Sequence, residues 1–435
     1  MIKKSFFGMA KPGLKYEALE TVLPKPENIS VSKNITLFIK SSDKPNTLQS
    51  ELLIKKGDKV KTGQKLLLSK KSSEYAISSV TGTVLSIEPF TGNYGQNLTA
   101  VTIEKGDKEE IDESFGNISE KKCIDIANDF LSHIPGNPNF NLFLNSEKPI
   151  NKIVVCAMDQ DMLVTTNQHV LKTDVNDIKT GLDILKTISK TDDVVIVSPR
   201  HLIHDASALD AAIKIADLSY PSALPKMIMK DLLDNQVPAG QNCEDLGVCF
   251  MSVEAVSSIG KAFQNKRIPF TKTLTVIKKD GAKATVSALI GTPVSDIFNA
   301  LSISIKNGDR IVFGGPLTGY AVYSEDYPVQ PDTDAIIVQD SEDISYVSDY
   351  PCINCGECIR ICPAKIPVNM LVRFLEAGIY DEAANSYDLY SCIDCGLCSY
   401  VCVARIPIFQ YIKLAKFELD KMESEQKSSV EEKNA

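Results

Sequence analysis

Near the end of a 435-residue chain, Cys352, Cys355, Cys358 and Cys362 fall in the stretch CINCGECIRICP, and Cys392, Cys395, Cys398 and Cys402 in CIDCGLCSYVC. Both arrays follow C-x2-C-x2-C-x3-C. Three thiolates spaced this closely wrap one face of a [4Fe–4S] cube, while the offset fourth completes a neighbouring cube. That assignment gives one cluster Cys352, Cys355, Cys358 and Cys402, and the other Cys392, Cys395, Cys398 and Cys362. Structural zinc is the alternative, but zinc sites use paired C-x2-C arms rather than tight triplets. Gly356 and Gly396 follow the second cysteine of each array, where a missing Cβ lets backbone N–H groups approach sulfur. The first array ends in Cys362-Pro363, as in ferredoxins, and the second in Cys402-Val403.

The other four cysteines are Cys123, Cys156, Cys243 and Cys249. Cys156 lies in the apolar run KIVVCAM and reads as a small core residue. The array pattern fits a reducing compartment, where metal sites outnumber disulfides. A formal charge of −9, from 47 basic and 56 acidic residues, argues against nucleic acid, which needs a basic footprint. No apolar run approaches the roughly 18 residues of a membrane span. The start, MIKKSFFGMAKPGL, lacks the apolar segment of a signal peptide, so a cytoplasmic location is expected.

Upstream, the stretch Leu52 to Ile87 alternates short apolar runs with turn signals at Gly57-Asp58, Gly63-Gln64 and Thr81-Gly82, which predicts a small all-β unit. It resembles the barrel-sandwich hybrid of lipoyl and biotinyl carrier domains. Lys70 and Lys71 fall where a carrier lysine would stand, but without the flanking acidic and small residues, so an unmodified hammerhead is expected. Asp112 to Lys148 reads as mixed and loop-rich. KIVVCAM and DVVIVSP then read as strands flanking the helical pattern NDIKTGLDILKTI, which predicts a parallel α/β sheet. Helices are expected over ASALDAAIKIA (Ala206 to Ala216) and EAVSSIGKAF (Glu254 to Phe263). Lys272 to Leu301 predicts a hairpin around Asp280-Gly281, a turn at Gly291-Thr292-Pro293 and a short helix, and GDRIVFGGPLTG returns to strand. This order resembles the soluble-ligand-binding β-grasp (SLBB) domain.

With these units in this order, the chain resembles the RnfC subunit of Rnf electron-transport complexes. The residues that carry the resemblance are KKGDKVKTGQKL, GVCFMSVEAVSSIGKAF with TKTLTV, IGTPVSDIF, FGGPLTG and CSYVCVARIPIFQYIKLAK. It implies a peripheral subunit on the cytoplasmic face of a membrane complex that passes electrons between ferredoxin and NAD and couples this to ion movement. It also implies an α/β domain related to the flavin- and NADH-binding subunit of respiratory complex I. Against that pattern, the glycine-rich loop before KIVVCAM is replaced by SHIPGNPNFNLFLNSEKP, in which Gly136 is the one glycine. The acidic turn is matched by AMDQDM, with Asp159 and Asp161. A Tyr-Pro-Thr-Gly-Gly-Glu-Lys element is matched by SYPSALPKMIMK, which keeps Tyr220, Pro221 and Lys226 but neither glycine nor the glutamate. A Cβ at such positions blocks close backbone contact with phosphate or isoalloxazine, so FMN and NADH are disfavoured and the site is expected to be degenerate.

The expected architecture is multidomain, α/β plus β. It comprises a barrel-sandwich hybrid (1–110), a Rossmann-like α/β domain (111–268), a β-grasp SLBB module (269–340), a helical two-[4Fe–4S] ferredoxin-like domain (341–421) and a disordered tail (422–435). The expected function is an iron–sulfur relay whose partners are membrane Rnf-type subunits and ferredoxin or another soluble carrier. The alternatives are an autonomous flavin-dependent NADH oxidoreductase resembling cobalamin reductases, and a ligand-sensing SLBB module.

Overall fold

The computed structural model describes residues 13–19, 25–31, 33–40, 53–69, 74–348 and 350–434. Lys70 and Lys71 lie outside them. The chain forms two compact units. One comprises Ser219–Asn242 and Ile344–Ala435 with the described residues up to Lys15, and the other Tyr16–Leu218 with Cys243–Asp343.

The larger unit begins with the hammerhead. In NITLFIK, Asn34–Lys40, inward Ile35, Leu37 and Ile39 alternate with outward residues, so one face is buried against a core. Asn34–Lys40 pairs antiparallel with Asn97–Lys105, which pairs with Gly82–Thr91, which in turn pairs with Lys59–Val60. A second ribbon joins Lys65–Leu67 to Tyr75–Ile77. The segment that follows is more helical than its Pro and Gly content suggests, with helices Ser114–Ile118 and Ile124–Leu131 and a short 3-10 turn Phe140–Leu144. Phe115, Leu131 and Phe140 are buried, which anchors these short elements through packing rather than propensity.

Four parallel strands follow in the order Ala212–Ala216, Val194–Pro199, Lys152–Cys156, Val248–Ser252. The apolar runs of Lys152–Cys156 and Val194–Pro199 are buried, as expected for the inner strands of a parallel sheet with helices against it. Helices Val175–Ser189 and Val253–Asn265 form as the apolar spacing predicts. The helix expected over Ala206 to Ala216 does not. The preceding helix ends at Ser207, and AIKIA forms the edge strand that pairs with Val194–Pro199. Ladder hydrogen bonds to a preformed neighbour outweigh the helix preference of its alanines, and alternating Ile213 and Ile215 suit the strand.

The third sheet has six strands, ordered Glu27–Asn28, Lys283–Leu289, Thr271–Ile277, Ala335–Gln339, Arg310–Phe313, Tyr320–Val322. The hairpin about Asp280-Gly281 and the helix Val294–Ala300 lie where the sequence puts them. Glu27–Asn28 adds in parallel to Lys283–Leu289, so a strand from the start of the chain closes this sheet's edge. Beneath Thr271–Ile277 sits a fully buried cation. Lys272 donates to Asp334 at 2.8 Å and to Glu254. Burial opposes its charge, but Asp334 and Glu254 hold the amine above its ordinary value, while burial pushes the Glu254 carboxyl up to about 7.

In the smaller unit, VNMLVRFLE (Val368–Glu376) buries Val368, Leu371, Val372 and Leu375 on one stripe. With Tyr380–Ser386 and Ile408–Asn434 it builds the core that contains Leu389, Ile406, Ile412 and Ala415. The tail expected to be disordered continues this last helix to Asn434. Its Glu, Lys, Gln and Met residues are strong helix formers, and low hydrophobicity does not prevent the extension of a helix already nucleated on a core.

Lys272→Met removes the cation from beneath two carboxylates. It is expected to destabilise the larger unit by roughly 3–5 kcal/mol, read as a fall in its thermal midpoint. Lys272→Met with Glu254→Leu should recover part of the loss, because one of the two uncompensated acids goes as well.

Candidate functional site

The eight array cysteines are brought together as two quartets. Cys352, Cys355, Cys358 and Cys402 line one small cavity, and Cys362, Cys392, Cys395 and Cys398 line another. Each quartet takes three sulfurs from one array and the last from the other. Among the described residues, no group of three or more His, Cys, Asp or Glu side chains converges as a single metal ion requires. The sulfurs ring a space instead of meeting at a point.

Local backbone geometry makes this arrangement. Gly356 and Gly396 have φ of 76° and 70°, the left-handed region that glycine enters without a Cβ penalty. Each sits immediately before a short helix, Glu357–Ile361 or Leu397–Tyr400, that carries the third cysteine. Asn354 and Asp394 are left-handed too, at 57° and 56°, as are Lys365 and Arg405, at 59° and 56°. One offset relates Cys352 to Cys392, Asn354 to Asp394, Gly356 to Gly396 and Lys365 to Arg405, so the two arrays are copies of one turn pattern. Asn and Asp tolerate this conformation better than other non-glycine residues, which makes Asn354 and Asp394 readable in hindsight.

Cys358, Cys392, Cys395 and Cys398 are buried, and Cys352, Cys355, Cys362 and Cys402 half-buried. Burial pushes the Cys358 and Cys395 thiols up to about 12 and Cys392 to about 11, with Cys398 well above its ordinary value. Neighbouring sulfurs add to the rise: Cys352 and Cys355 act on Cys358, and Cys362 acts on Cys395. Backbone N–H groups of Ile359, Leu397 and Ser399 work the other way on Cys358, Cys395 and Cys398. The Asp394 N–H donates to Cys392 Sγ and the Ile406 N–H to Cys402 Sγ, each at 3.4 Å. Four sulfurs this close cannot all be thiolates without a positively charged group among them. The donor set fits an iron–sulfur cluster, whose bound thiols are deprotonated.

A second layer braces the Cys392 quartet. Lys416 Nζ donates to the Cys392 carbonyl at 3.2 Å and pairs with Asp394 at 2.9 Å. Tyr220 Oη donates to the Cys395 carbonyl at 2.6 Å, and Lys226 Nζ to the Tyr390 carbonyl at 3.5 Å. The sequence grouped Tyr220 and Lys226 with Asp159 and Asp161. The structure divides the four: Tyr220 and Lys226 belong to the unit of the arrays, and Asp159 and Asp161 to the larger unit.

Asp159 and Asp161 follow the strand Lys152–Cys156. Asp159 is buried and accepts from the Asn167 backbone N–H at 2.8 Å and from Asn167 Nδ2 at 3.3 Å. Burial raises its carboxyl to about 6, against these hydrogen bonds. Asp161 accepts from the N–H groups of Leu317 and Thr318, at 3.0 and 2.7 Å, and from the Thr318 hydroxyl. It therefore closes the GGPLTG turn. At the start of helix Val253–Asn265 the Ala255 N–H is taken by Ser252 Oγ, and the Thr273 N–H by Glu254. Gly136, left-handed at 87°, packs against that same helix: a Cβ there would stand 2.4 Å from the Ala255 nitrogen. Asp159 and Asp161 thus take the N–H groups of Asn167 and Thr318 beside this cavity, which the side-chain amides of Asn137, Asn139 and Gln160 also line.

Two partly buried thiol quartets on a duplicated turn-and-helix scaffold define an iron–sulfur protein of the two-cluster class, and residues 344–403 match the 4Fe-4S dicluster domain family. Residues 27–108, the hammerhead, match the RnfC barrel sandwich hybrid domain. The chain is 28% identical over 295 residues to a subunit of the ion-translocating oxidoreductase complex of Edwardsiella ictaluri (65% of this chain, 37% of that protein). It is 22% identical over 339 residues to a subunit of the Na(+)-translocating ferredoxin:NAD(+) oxidoreductase complex of Acetobacterium woodii (72% of this chain, 75% of that protein). The chain is thus similar to RnfC proteins in its hammerhead, and to ion-translocating oxidoreductase subunits over about two thirds of its length. It spans less than half the length of the first of these relatives. A crystal structure of an NAD+-reducing [NiFe]-hydrogenase in the H2-reduced state covers 71% of this chain and 62% of its own at 11% identity, with a TM-score of 0.45, too low to carry a fold assignment.

Lys416→Ala removes the nearer of the two lysines that pair with Asp394 beside the Cys392 quartet, leaving only Lys413 at 3.8 Å. The reduction potential of the centre held there should fall by tens of millivolts, since about 59 mV is a tenfold change for a one-electron couple. A spectroscopic redox titration should show the other centre unmoved.

Proposed function

We propose that this chain is the iron–sulfur electron-transfer subunit of a membrane-bound Rnf-type complex that couples electron transfer to ion translocation. The observation that carries the proposal is the pair of cysteine quartets, supported by the names of the relatives. In this reading Cys352, Cys355, Cys358 and Cys402 ligate one [4Fe–4S] cluster, and Cys392, Cys395, Cys398 and Cys362 the other. Such clusters supply one-electron transfer. The chain's own part is to hold the two sites in one small core and tune them through N–H groups and Lys416.

Electrons pass between a soluble carrier such as ferredoxin and the other Rnf-type subunits, with NAD or another acceptor at the far side of the complex. Among the described residues no helix is long and apolar enough to cross a membrane. Attachment to the cytoplasmic face is therefore assigned to the membrane subunits, with the hammerhead as a docking module. The four-stranded parallel sheet is assigned to the Rossmann-like class and the six-stranded sheet to the SLBB β-grasp class. Its parallel pairing of Thr271–Ile277 with Ala335–Gln339, beside the helix Val294–Ala300, supports the second assignment.

FMN does not fit the α/β cavity. A flavin phosphate is held by free N–H groups and cations. Here Asp159 and Asp161 take the N–H groups of Asn167 and Thr318, and among the described residues no lysine or arginine lines the cavity. No step is therefore routed through flavin in this chain.

Anaerobically reconstituted protein should bind about eight irons per chain, the content of two four-iron clusters. It should give iron–sulfur absorbance without a flavin band, and exchange electrons with reduced ferredoxin but not with NADH. Stoichiometric FMN with rapid bleaching by NADH would establish the flavoenzyme instead.

A further inference from the structure

The element SYPSALPKMIMK, matched to a nucleotide motif in the sequence, lies in the compact unit of the cysteine arrays. Buried Ala223, Leu224, Ile228 and Met229 seat it there, the last two on the helix Pro225–Leu232. That anchorage delivers two donors to the second array: Tyr220 Oη to the Cys395 carbonyl at 2.6 Å, and Lys226 Nζ to the Tyr390 carbonyl at 3.5 Å. The first is short and buried, it reaches a residue of the Cys392 quartet, and Tyr220 itself is only 8% exposed.

The first array marks out the same carbonyl. Cys355 corresponds to Cys395, and its carbonyl accepts from Arg360 Nη2 at 3.1 Å. Arg360 corresponds to Tyr400, a neutral side chain, and the Cys395 carbonyl takes a donor from Tyr220, outside the array. In both copies of the turn the oxygen of the second cysteine is thus capped by a side chain. The cap is exposed and cationic in one copy, buried and neutral in the other.

That oxygen carries partial negative charge beside a group that becomes more negative on reduction. The Tyr220 hydrogen offsets it, and in a buried setting the dipole acts at low dielectric. An accepted hydrogen bond also polarises the Cys395–Gly396 amide, which strengthens the Gly396 N–H as a donor. Gly396, left-handed at 70°, has no Cβ to keep that N–H from sulfur. Both effects favour the reduced state.

We infer that Tyr220 is a positioning residue that sets the reduction potential of the Cys392 centre through the Cys395 carbonyl. The inference deepens the two-cluster reading and rests on it. One electron goes to the centre and none to the tyrosine, which stays a neutral phenol throughout and makes or breaks no covalent bond. Because Tyr220 is uncharged, salt does not screen its influence as it screens that of Lys416.

The test is a redox titration of the reconstituted full chain followed by electron paramagnetic resonance, with the Cys392 centre assigned as the one that Cys395→Ser alters. Tyr220→Phe keeps the ring and removes the hydroxyl. It should lower the equilibrium constant for one-electron reduction of that centre by about fivefold to tenfold, tenfold being about 59 mV. The shift should be the same in low and high salt, with iron content and the Cys352 centre unchanged. Replacement of Tyr220 by 3-fluorotyrosine, a stronger donor, should move the same centre the opposite way in mildly acidic buffer, where the phenol stays protonated. A role in packing alone predicts a lower melting temperature with both potentials unmoved. That result, equal shifts of both centres, or shifts of one sign from both replacements would each overturn the inference. Absence of iron–sulfur absorbance in the unaltered protein would instead overturn the two-cluster reading itself.

Discussion

Crowding four cysteine sulfurs around a small cavity, twice within one small helical core, is the constraint on which the rest of the smaller unit depends. Alone, such a quartet is costly: burial and mutual repulsion drive Cys358, Cys392, Cys395 and Cys398 toward the neutral thiol. Iron reverses that balance by stabilising thiolate, so binding of the clusters and folding of this unit are one process. The exchange of Cys362 and Cys402 between the cavities ties the two halves together, and the left-handed turns at Asn354, Gly356, Asp394 and Gly396 make the exchange sterically feasible.

The larger unit presents the opposite electrostatics. Where a nucleotide-binding site leaves N–H groups free for phosphate, this chain turns its own carboxylates onto them, Asp159 on Asn167 and Asp161 on Thr318. These acids stabilise the loops and charge the cavity negatively.

The cysteine arrays were legible because ligand spacing is local and the exchange of fourth ligands follows from cluster geometry. The hairpin at Asp280-Gly281 and the strands KIVVC and VVIVSP were legible because turn chemistry and continuous apolar runs carry their own signal. What escaped depended on partners distant in sequence. AIKIA is a strand only because Val194–Pro199 lies beside it, and Glu27–Asn28 only because Lys283–Leu289 leaves an edge. Tyr220 reads as part of a nucleotide element until its hydroxyl is found on the Cys395 carbonyl. The buried Lys272 and the carboxylate caps at Asp159 and Asp161 leave no pattern in the sequence, since a paired acid and a solvated one look alike.

The exchange of fourth ligands is tested most directly by comparing Cys362→Ser and Cys402→Ser in the reconstituted protein by electron paramagnetic resonance. The account predicts that Cys362→Ser alters the same centre as Cys395→Ser, and Cys402→Ser the same centre as Cys355→Ser. If Cys362→Ser instead alters the centre affected by Cys355→Ser, each array serves its own cluster and the account is contradicted.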